Sequence, residues 1–597
     1  MAIRLLMGNE AIALGAKRAG IGLAAGYPGT PSTEVLETLA RERGEGVYVE
    51  WSVNEKAALE VAAGAAYAGV RTLVTMKQVG LNVASDPLMS LAYIGVKGGM
   101  VVLVADDPGP ISSQTEQDTR TFARYSKLPI FDPASPEEAY EMIGDAFDYS
   151  EKYKTPVLFR PTTRLCHATA AIDVDDTRRE NSPEGFVKDS KWVIFPRLSF
   201  AAHTAIEKRN SLIGGDFSAY RFNAVSGSGK LGVAVSGVSC AYAREALAAL
   251  KTDCKLLKIA TPHPFPEKLA YEFLDGVERV LVLEELDPVI ERELLYLCGK
   301  RGISLQIHGK IDGTTLAAGE NTADIVTKQL ADYLGIAYTP RPAAELPPLP
   351  PRPPVLCAGC PHRASFYAVK QAMRGRKAIF SGDIGCYTLG NAQPLDMVDT
   401  CLCMGAGITL AQGLKRAEPG TACFAFVGDS TFFASGMTGV VNAVFNETDI
   451  VLVVLDNSLT AMTGGQTNPG IGKTLMGRAV SKISIPKVLE AIGVPVRIVN
   501  PLDLDAAITA ARDAADTGGV QAILYRYPCV SISKHGEPAV IDPGKCVGCL
   551  RCVTELGCPA LSKDGGKAII DASLCTACGL CARVCPADAI EKKEVAQ

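Results

Sequence analysis

Eight cysteines near the end of the chain carry its clearest chemical signal. They fall in two runs, Cys546-x2-Cys549-x2-Cys552-x5-Cys558-Pro559 and Cys575-x2-Cys578-x2-Cys581-x3-Cys585-Pro586. Thiolates spaced by two residues can reach several irons of one cluster, and the fourth cysteine of such a run usually binds the other cluster. The spacing therefore predicts one [4Fe-4S] cluster bound by Cys546, Cys549, Cys552 and Cys585, and a second bound by Cys575, Cys578, Cys581 and Cys558. Two zinc sites are the alternative.

Two short polar motifs upstream of these cysteines suit a metal-bound diphosphate. Gly428-Asp429-Ser430 follows an apolar run at Cys423–Val427, and Asp456-Asn457 follows the next run at Ile450–Leu455. We predict that both runs are neighbouring parallel strands, whose carboxyl ends lie at one edge of a sheet. Carboxylate and amide oxygens at such an edge are suitable ligands for a Mg2+ ion that also binds diphosphate oxygens.

This pattern resembles the thiamin diphosphate motif, a Gly-Asp-Gly that is followed further along the chain by two asparagines. Ser430 replaces the third residue of the first part, and Asp456 replaces the first asparagine. The resemblance implies that Asp429 and Asn457 bind Mg2+ through their side chains and that Leu459 binds it through its main-chain carbonyl. An ordinary aspartate and asparagine in loops after strands are the alternative.

A turn that contains glycine precedes these strands. We expect Met404-Gly405-Ala406-Gly407 to open a helix and to place bare backbone N–H groups near the diphosphate. An apolar residue before such glycines often supports the bent cofactor in thiamin enzymes, so Met404 is the candidate, with core packing as its alternative. The predicted cofactor-binding residues are Met404, Gly405, Gly407, Gly428, Asp429, Ser430, Asn457 and Leu459.

Thiamin chemistry also needs a carboxylic acid beside N1′ of the aminopyrimidine, because a hydrogen bond there favours the tautomer that removes the C2 proton. This acid normally comes from a different domain. Glu55 stands at the entrance of a predicted small-residue helix, Glu55–Ala68, after a predicted strand at Val47–Trp51. We therefore predict Glu55, rather than Glu60, as the acid. A glutamate that serves only the helix dipole is the alternative.

The rest of the sequence must form the elements that position these residues. Of its 597 residues, 47% are hydrophobic and 57 are glycine, a composition typical of large α/β domains. The net charge of −5 with interspersed signs argues against a nucleic-acid partner. No apolar run approaches the roughly 20 residues of a membrane span, and the N-terminus lacks a signal-peptide pattern. The 19 cysteines without an export signal predict a reducing, cytoplasmic location.

Alternating apolar strands and helices predict parallel α/β domains over residues 1–180, 229–335 and 355–530, followed by a cysteine-rich tail over 541–597. Predicted strands are Gly20–Tyr27, Arg71–Met76, Gly99–Ala105, Val157–Arg160, Leu231–Ser236, Lys255–Ile259 and Val280–Leu283, and predicted helices are Ala241–Leu250, Glu267–Leu274 and Pro288–Cys298. The proline-rich segment 340–354 is predicted to be a linker. The polar stretch 175–228 is predicted to be irregular.

The chain resembles the large subunits of indolepyruvate ferredoxin oxidoreductases, within the 2-oxoacid:ferredoxin oxidoreductase superfamily, over almost its whole length. The motifs that carry the resemblance are Gly26-Tyr27-Pro28-Gly29-Thr30-Pro31-Ser32-Thr33-Glu34, Asn54-Glu55, Gly80-Leu81-Asn82-Val83, Ser113-Gln114-Thr115-Glu116-Gln117-Asp118, Leu356-Cys357-Ala358-Gly359-Cys360-Pro361-His362-Arg363, Met462-Thr463-Gly464-Gly465-Gln466 and the tail. The lengthened x5 spacing before Cys558 is itself similar to this family.

The resemblance implies the identity of the domains and of further site residues. Residues 1–180 would be a thiamin pyrimidine-binding domain, 229–335 a transketolase C-terminal-like domain, 355–530 a pyrophosphate- and Mg2+-binding domain, and 541–597 an α+β ferredoxin domain with two clusters. Thr30 would contact the substrate carboxylate, and Glu55 would be the N1′ partner. A third [4Fe-4S] cluster near the thiamin would be bound by Cys357, Cys360, Cys386 and Cys529, with buried thiols as the alternative.

Other candidate residues have weaker signals. His362 is predicted either to touch substrate or cofactor or to stabilise a turn. The remaining cysteines show no ligand spacing and are predicted to be mostly core residues: Cys166, Cys240, Cys254, Cys298, Cys401, Cys403 and Cys423.

The reaction implied by the resemblance is the thiamin-dependent oxidative decarboxylation of aryl 2-oxoacids, such as indole-3-pyruvate or phenylpyruvate. With coenzyme A it would give an aryl-acetyl-CoA, CO2 and reduced external ferredoxin. A smaller domain of pyruvate-type relatives is not found here, so we expect a separate small subunit in a heterodimer or a dimer of heterodimers. The alternatives are a non-oxidative thiamin decarboxylase or carboligase with accessory clusters, an oxidoreductase for a non-aromatic 2-oxoacid, and a non-catalytic electron-transfer adaptor.

Overall fold

The computed structural model describes residues 2–44, 46–175, 177–339 and 347–591. The chain divides into two units, residues 1–345 and residues 346–597. Within the described ranges, no helix is both long enough and apolar enough to cross a membrane. The predicted linker at 340–354 lies partly outside these ranges, and its described part, 347–354, has no regular secondary structure.

A parallel sheet lies at the centre of the first unit. The strands are β1 (Ala2–Met7), β2 (Leu23–Gly26), β3 (Tyr48–Trp51), β4 (Thr72–Lys77), β5 (Met100–Ala105), β6 (Ile130–Phe131), β7 (Val157–Phe159) and β8 (Thr169–Val174). The helices are α1 (Gly8–Arg18), α2 (Thr33–Glu42), α3 (Glu55–Tyr67), α4 (Gln78–Ile94), α5 (Thr119–Ser126), α6 (Pro136–Tyr153) and α7 (Thr163–His167). The sheet order is β3-β2-β4-β5-β7-β6, while β1 and β8 form an antiparallel ribbon. The central strand β5 is wholly apolar and buried, as expected inside a parallel sheet.

A second sheet follows in the same unit. Its strands are β9 (Ala224–Ser226), β10 (Leu231–Ser236), β11 (Lys255–Ile259), β12 (Arg279–Leu283) and β13 (Gln306–His308). The helices are α8 (Pro196–Phe217), α9 (Ser239–Ala249), α10 (Glu267–Leu274), α11 (Val289–Arg301) and α12 (Ala323–Leu334). The order is β13-β12-β10-β11-β9, with only β9 antiparallel to its neighbour.

The predicted elements β10, β11 and α10 are confirmed to the residue. The prediction of an irregular stretch at 175–228 is wrong, because α8 is a helix of 22 residues within it. Only Ile206, Ile213 and Phe217 of this helix are buried. A helix with so little buried surface lacks the regular apolar stripe by which a helix is recognised in a sequence.

A buried network of charges joins the two sheets of the first unit. The fully buried Arg120 donates hydrogen bonds to Asp118 (2.7 Å) and, from the other side, to Glu284 (2.8 Å). Arg160 likewise donates to Asp106 (2.7 Å) and Asp132 (3.1 Å). Because removing one member would leave an unpaired buried charge, the pair of Arg120 with Glu284, which follows β12, holds the second sheet against the first.

The second unit contains another parallel sheet. Its strands are β14 (Ala378–Ser381), β15 (Ala422–Gly428), β16 (Ile450–Asp456), β17 (Val496–Val499) and β18 (Val520–Arg526), in the order β14-β15-β16-β18-β17. The helices are α13 (Pro361–Ala372), α14 (Ala406–Ala417), α15 (Asp429–Thr431), α16 (Met437–Phe445), α17 (Ile485–Ala491) and α18 (Leu504–Thr517), with a π-helical turn at Phe432–Gly436. The predicted strands at Cys423–Val427 and Ile450–Leu455 are confirmed to within one residue at each end.

The tail is small and mixed in structure. Its elements are β19 (Val540–Ile541), α19 (Arg551–Thr554), β20 (Leu561–Asp564), β21 (Lys567–Ile570), α20 (Leu580–Val584) and β22 (Ile590–Glu591). The strands form two antiparallel pairs, β19 with β22 and β20 with β21. Apolar side chains of the tail, including Leu556 and Leu580, share one core with Tyr367 of α13 and Ala511 of α18. The predicted fold class, parallel α/β domains followed by a small α+β domain, is confirmed.

Candidate active site

Asp429 and Asn457 follow the carboxyl ends of neighbouring strands of the second unit. Gly428, the last residue of β15, is paired with Leu455 of β16, and both polar residues come shortly after. Asp429 is 4% exposed and Asn457 is 6% exposed. Burial, together with the charge of Asp456, raises the pKa of Asp429 to about 7. A cation beside this carboxyl group would favour its ionised form and remove that cost.

Hydrogen bonds shape the loops around these two side chains. The Ser430 N–H donates to Asp429 Oδ1 (2.8 Å), and the Leu459 N–H donates to Asn457 Oδ1 (3.2 Å). Asp456, by contrast, accepts a hydrogen bond from Arg526 Nε (2.7 Å), so its carboxylate already has a cationic partner. The buried amide of Asn468 lies beside Asp429, and its side chain lowers the pKa of that carboxyl group against the effect of burial.

The glycine turn before α14 is held by a buried acid that the sequence did not single out. Gly405 adopts a φ of +84°, and its N–H donates to Asp383 Oδ1 (2.7 Å). The N–H of Ala406 donates to the carbonyl of Cys403 (3.0 Å). The expectation that this turn offers bare N–H groups is therefore wrong for these two residues. The first four N–H groups of a helix have no intrahelical acceptor, and the other two of this turn are those of Gly407 and the residue after it.

Met404 and Gly407 complete this turn. The carbonyl of Met404 accepts a hydrogen bond from Ser435 Oγ (2.9 Å), and its side chain is half-buried rather than part of the core. Gly407 packs directly on the carbonyl of Gly382, where a Cβ atom would collide with it. The close approach of the two backbones therefore requires glycine at position 407.

His362 contacts the candidate metal ligand Asn457. Its ring is 3% exposed, and burial lowers its pKa to about 4, so the imidazole is neutral at physiological pH. The Nε2 atom lies 3.3 Å from Asn457 Nδ2 and can accept its hydrogen. The ring also meets Tyr387 edge-on. His362 therefore orients the Asn457 amide.

Glu55 begins α3 in the first unit and is 9% exposed. The preceding residue, Asn54, caps this helix by accepting the Ala57 N–H (2.8 Å). Gly80 of α4 lies against the carboxyl group, since a Cβ atom there would be 2.5 Å from Glu55 Oε1. Burial raises the pKa of Glu55, and the charge of Lys77 opposes the rise. The rival candidate Glu60 is exposed and pairs with Lys56 on the helix surface.

Lys77 is a second polar group near Glu55 that the sequence reading missed. Burial lowers its pKa, which the charges of Asp107 and Glu55 oppose. Its side chain passes Gly29, the neighbour of Thr30, and its Nζ lies 3.5 Å from the carbonyl of Ser112. Ser112 Oγ in turn donates to the carbonyl of Thr30 (3.1 Å). A charged lysine that ends an apolar strand and leads directly into a helix is the signal that could have identified it.

The tail cysteines surround two separate cavities. One is lined by Cys546, Cys549, Cys552 and Cys585. The other is lined by Cys558, Cys575, Cys578 and Cys581, together with Cys360 and Arg363 of the α13 region. In both cavities the fourth cysteine of one run joins the first three of the other, as the spacing predicts for two clusters. In the described part of the chain, no three Cys, His, Asp or Glu side chains are arranged for a single metal ion.

Four more cysteines lie close to one another in the second unit. Burial raises the pKa of Cys386 to about 11, and the nearby Cys529 and Cys357 add to the rise. Burial likewise raises the pKa of Cys360 to about 12, with smaller contributions from Cys357 and Cys386. The loops that bear these four residues therefore meet, although the residues span positions 357 to 529.

The prediction for the remaining cysteines holds for most of them. Five are buried, as expected of core residues: Cys166, Cys240, Cys254, Cys298 and Cys423. Cys401 and Cys403 are the two exceptions, since both are exposed. They precede Met404 in the turn before α14, where backbone pairing rather than packing fixes the chain.

Three family models match the chain. The model described as pyruvate flavodoxin/ferredoxin oxidoreductase, thiamine diphosphate-binding, matches residues 14–192. The thiamine pyrophosphate enzyme C-terminal TPP-binding domain matches residues 383–523, and a 4Fe-4S binding domain matches residues 568–591. Fold, site and matches together define a thiamin-diphosphate-dependent oxidoreductase of the 2-oxoacid:ferredoxin class.

Proteins of similar sequence identify the family within this class. Proteins described as indolepyruvate oxidoreductase subunit IorA are 43% identical in Methanothermobacter thermautotrophicus, over 98% of this chain and 97% of that protein, and 40% identical in Thermococcus kodakarensis, over 98% and 96%. The protein of the same description from Archaeoglobus fulgidus is 39% identical, over 98% and 97%. The chain belongs to the indolepyruvate oxidoreductase subunit IorA family. Because these relatives are described as subunits, a partner subunit is implied.

Proposed function

We propose that the chain catalyses the oxidative decarboxylation of aryl 2-oxoacids of the indole-3-pyruvate and phenylpyruvate type. The products would be an aryl-acetyl-CoA, CO2 and reduced ferredoxin, with coenzyme A as co-substrate. The observation that carries this proposal is that one unit holds both the buried Asp429–Asn457 edge and the cavities lined by cysteines. A thiamin enzyme that only decarboxylates or ligates its substrate passes no electrons to an acceptor, so it does not need iron–sulfur clusters.

Asp429 and Asn457 would hold Mg2+ through their side chains, with the carbonyl of Leu459 as a third ligand. The raised pKa of Asp429 fits a bound cation, because a positive charge beside this carboxyl group would favour its ionised form. His362 would fix the Asn457 amide so that its oxygen is presented to the metal. Thiamin diphosphate, when bound, supplies the carbon nucleophile and the electron sink that decarboxylation of a 2-oxoacid requires.

Glu55 would hold a proton at N1′ of the aminopyrimidine. Its burial favours the neutral acid, which can donate a hydrogen bond, whereas the neighbouring charge of Lys77 limits the rise of its pKa. Gly80 would keep the carboxyl group in one position, because α4 approaches it closely.

Thr30 and Lys77 would bind the carboxylate of the substrate. The side chain of Lys77 passes beside Gly29, and Ser112 connects the Lys77 ammonium to the Thr30 backbone. A partly desolvated ammonium group forms stronger charge-assisted hydrogen bonds than an exposed one. It would therefore recognise the carboxylate, which all 2-oxoacids carry, and the aryl group would be selected elsewhere.

The cysteine sets would bind three [4Fe-4S] clusters. The tail would hold two, and Cys357, Cys360, Cys386 and Cys529 would hold the third. A small subunit would complete the enzyme in a heterodimer or a dimer of heterodimers, and an external ferredoxin would accept the electrons. Cluster-bound and free thiols suit a reducing compartment, which favours the cytoplasm.

The test is anaerobic purification with the small subunit, followed by analysis and turnover. We expect one thiamin diphosphate and about twelve irons per chain, the content of three clusters. Indole-3-pyruvate or phenylpyruvate with coenzyme A should reduce methyl viologen faster than pyruvate or 2-oxoglutarate does. Full-rate decarboxylation without coenzyme A and without an electron acceptor would instead identify a non-oxidative lyase.

Replacing Lys77 with glutamine should raise the KM for the 2-oxoacid by about 10- to 100-fold, because a hydrogen bond to a charged group is lost. The value of kcat should fall less than kcat/KM, since Lys77 would bind the carboxylate of the substrate in the ground state, and this negative charge is lost as CO2 leaves. The matched control is Lys56→Gln, which removes an exposed lysine of α3. A KM that is unchanged in Lys77→Gln would exclude Lys77 from the carboxylate site.

A further inference from the structure

Arg363 is a buried cation whose hydrogen bonds join two cysteine-bearing loops. Its side chain is 3% exposed. One terminal nitrogen donates to the carbonyls of Leu556 (2.5 Å) and Gly557 (2.9 Å), just before Cys558. The other donates to the carbonyls of Leu356 (2.6 Å) and Cys357 (3.4 Å). The remaining donor, Nε, is buried and has no partner.

The charge of Arg363 is also left without a carboxylate. All four acceptors are neutral carbonyls, and among the described residues no Asp or Glu forms an ion pair with it. Burial lowers its pKa, and the groups that oppose the shift include Cys558, Cys360 and Cys578. A buried guanidinium without a negative partner is costly, so these sulfur atoms are its natural counter-charges.

Arg363 lies at one of the two cavities that the tail cysteines line. Arg363 lines the cavity of Cys558, Cys575, Cys578 and Cys581, where Cys360 and Gly359 also lie. Gly359 packs so closely on Thr576 that a Cβ atom there would collide with it. Among the residues that the structure describes, those lining the other tail cavity all lie from Ile541 onward.

We propose that Arg363 is a positioning residue that raises the reduction potential of the cluster bound by Cys558, Cys575, Cys578 and Cys581. Its Nε–H would donate to a sulfur atom of this cluster, and its terminal nitrogens would fix the loop before Cys558. A positive charge and a hydrogen bond to sulfur both favour the reduced cluster, which is the more negative form. The proposal rests on the proposed function only in that this cluster must be present.

The test compares reduction potentials in the anaerobic complex with its small subunit. Dithionite titrations followed by electron paramagnetic resonance would be made on wild type, Arg363→Gln, Arg363→Lys and Arg583→Gln, after iron has been quantified in each. Arg363→Gln should shift one midpoint downward by at least about 59 mV, which is tenfold in the reduction equilibrium of a one-electron couple. Arg363→Lys, which keeps the charge but loses the planar donors, should give a smaller shift.

Arg583→Gln is the matched control, because Arg583 lies on α20 between Cys581 and Cys585 and is exposed. Solvent screens its charge, so its loss should leave all midpoints unchanged. Unshifted midpoints in an Arg363→Gln protein of full iron content would overturn the proposal. Wild-type protein that holds no iron would overturn the proposed function instead.

A second measurement covers the case in which Arg363→Gln does not fold. Wild-type complex with 15N-labelled arginine would be reduced and examined for hyperfine coupling between a cluster spin and arginine nitrogen. We expect this coupling both in wild type and in Arg583→Gln. Its absence from the reduced wild-type clusters would contradict the hydrogen bond from Arg363.

Discussion

Replacing Glu55 with glutamine is expected to lower the rate of 2-oxoacid-dependent viologen reduction by about 10²- to 10⁴-fold, the usual contribution of a general acid–base group. Glutamine keeps the size of the side chain, but it cannot share a proton with N1′. Thiamin diphosphate should still bind, because the metal ligands lie elsewhere in the chain. The measurement is the rate per bound thiamin diphosphate, determined on the same preparation.

Two further variants, one in α3 and one in α4, test whether the effect depends on the Glu55 carboxyl group. Glu60→Gln removes an exposed carboxylate from α3 and should leave the rate unchanged. Gly80→Ala keeps Glu55 but places a methyl group 2.5 Å from the present position of its Oε1, so it should displace the carboxyl group and reduce the rate. A Glu55→Gln enzyme with the wild-type rate and full thiamin content would rule out the assigned role.

Replacing Asp429 with alanine should abolish retention of thiamin diphosphate during gel filtration. Loss of a group that only supports a metal ligand commonly weakens metal binding by 10- to 100-fold, so loss of the ligand itself should weaken Mg2+ binding by about 100-fold or more. The expected cause is a missing carboxylate at the carboxyl end of β15, with no other acid in its place. The measurements are thiamin diphosphate per chain and the Mg2+ concentration for half-maximal activity.

Asp456→Asn is the control for this effect. The Asp456 carboxylate accepts a hydrogen bond from Arg526 rather than standing free, and asparagine is the more usual residue of the motif at this position. Its replacement should leave the thiamin content close to wild type. Equal Mg2+ affinity in Asp429→Ala and wild type would show that the metal is bound elsewhere.

The sequence predicted those parts of the fold in which local pattern and tertiary role agree. β10 is a run of small and apolar residues that ends in serine, β11 carries three apolar residues among two lysines, and the predicted bounds of both strands match the structure. α8 was missed, because it buries only three of its residues and carries no regular apolar stripe. Contacts with neighbouring elements stabilise such a helix, and the periodicity of its own sequence does not reveal them.

The same division applies to the candidate site. Asp429 and Asn457 were proposed from the sequence because each follows an apolar strand, and Glu55 was proposed because it opens a small-residue helix. Lys77, Asp383 and Arg363 were not found, since each depends on contacts with distant residues. Arg363, for example, donates to a carbonyl 193 positions away. A local sequence motif does not predict a hydrogen-bond partner that is so far away along the chain.

The five residues between Cys552 and Cys558 limit which ferredoxin domains could replace the tail of this chain. Leu556 and Gly557 supply two of the four carbonyls that accept from Arg363, Glu555 accepts a hydrogen bond from Tyr367 (2.5 Å), and Gly557 packs on Pro394. A graft of an ordinary two-cluster ferredoxin, with three residues in this place, would lack the segment that makes these contacts. Such a chimaera could bind its own clusters and still fail to dock. In protein engineering, the tail and α13 should therefore be transplanted together as one piece.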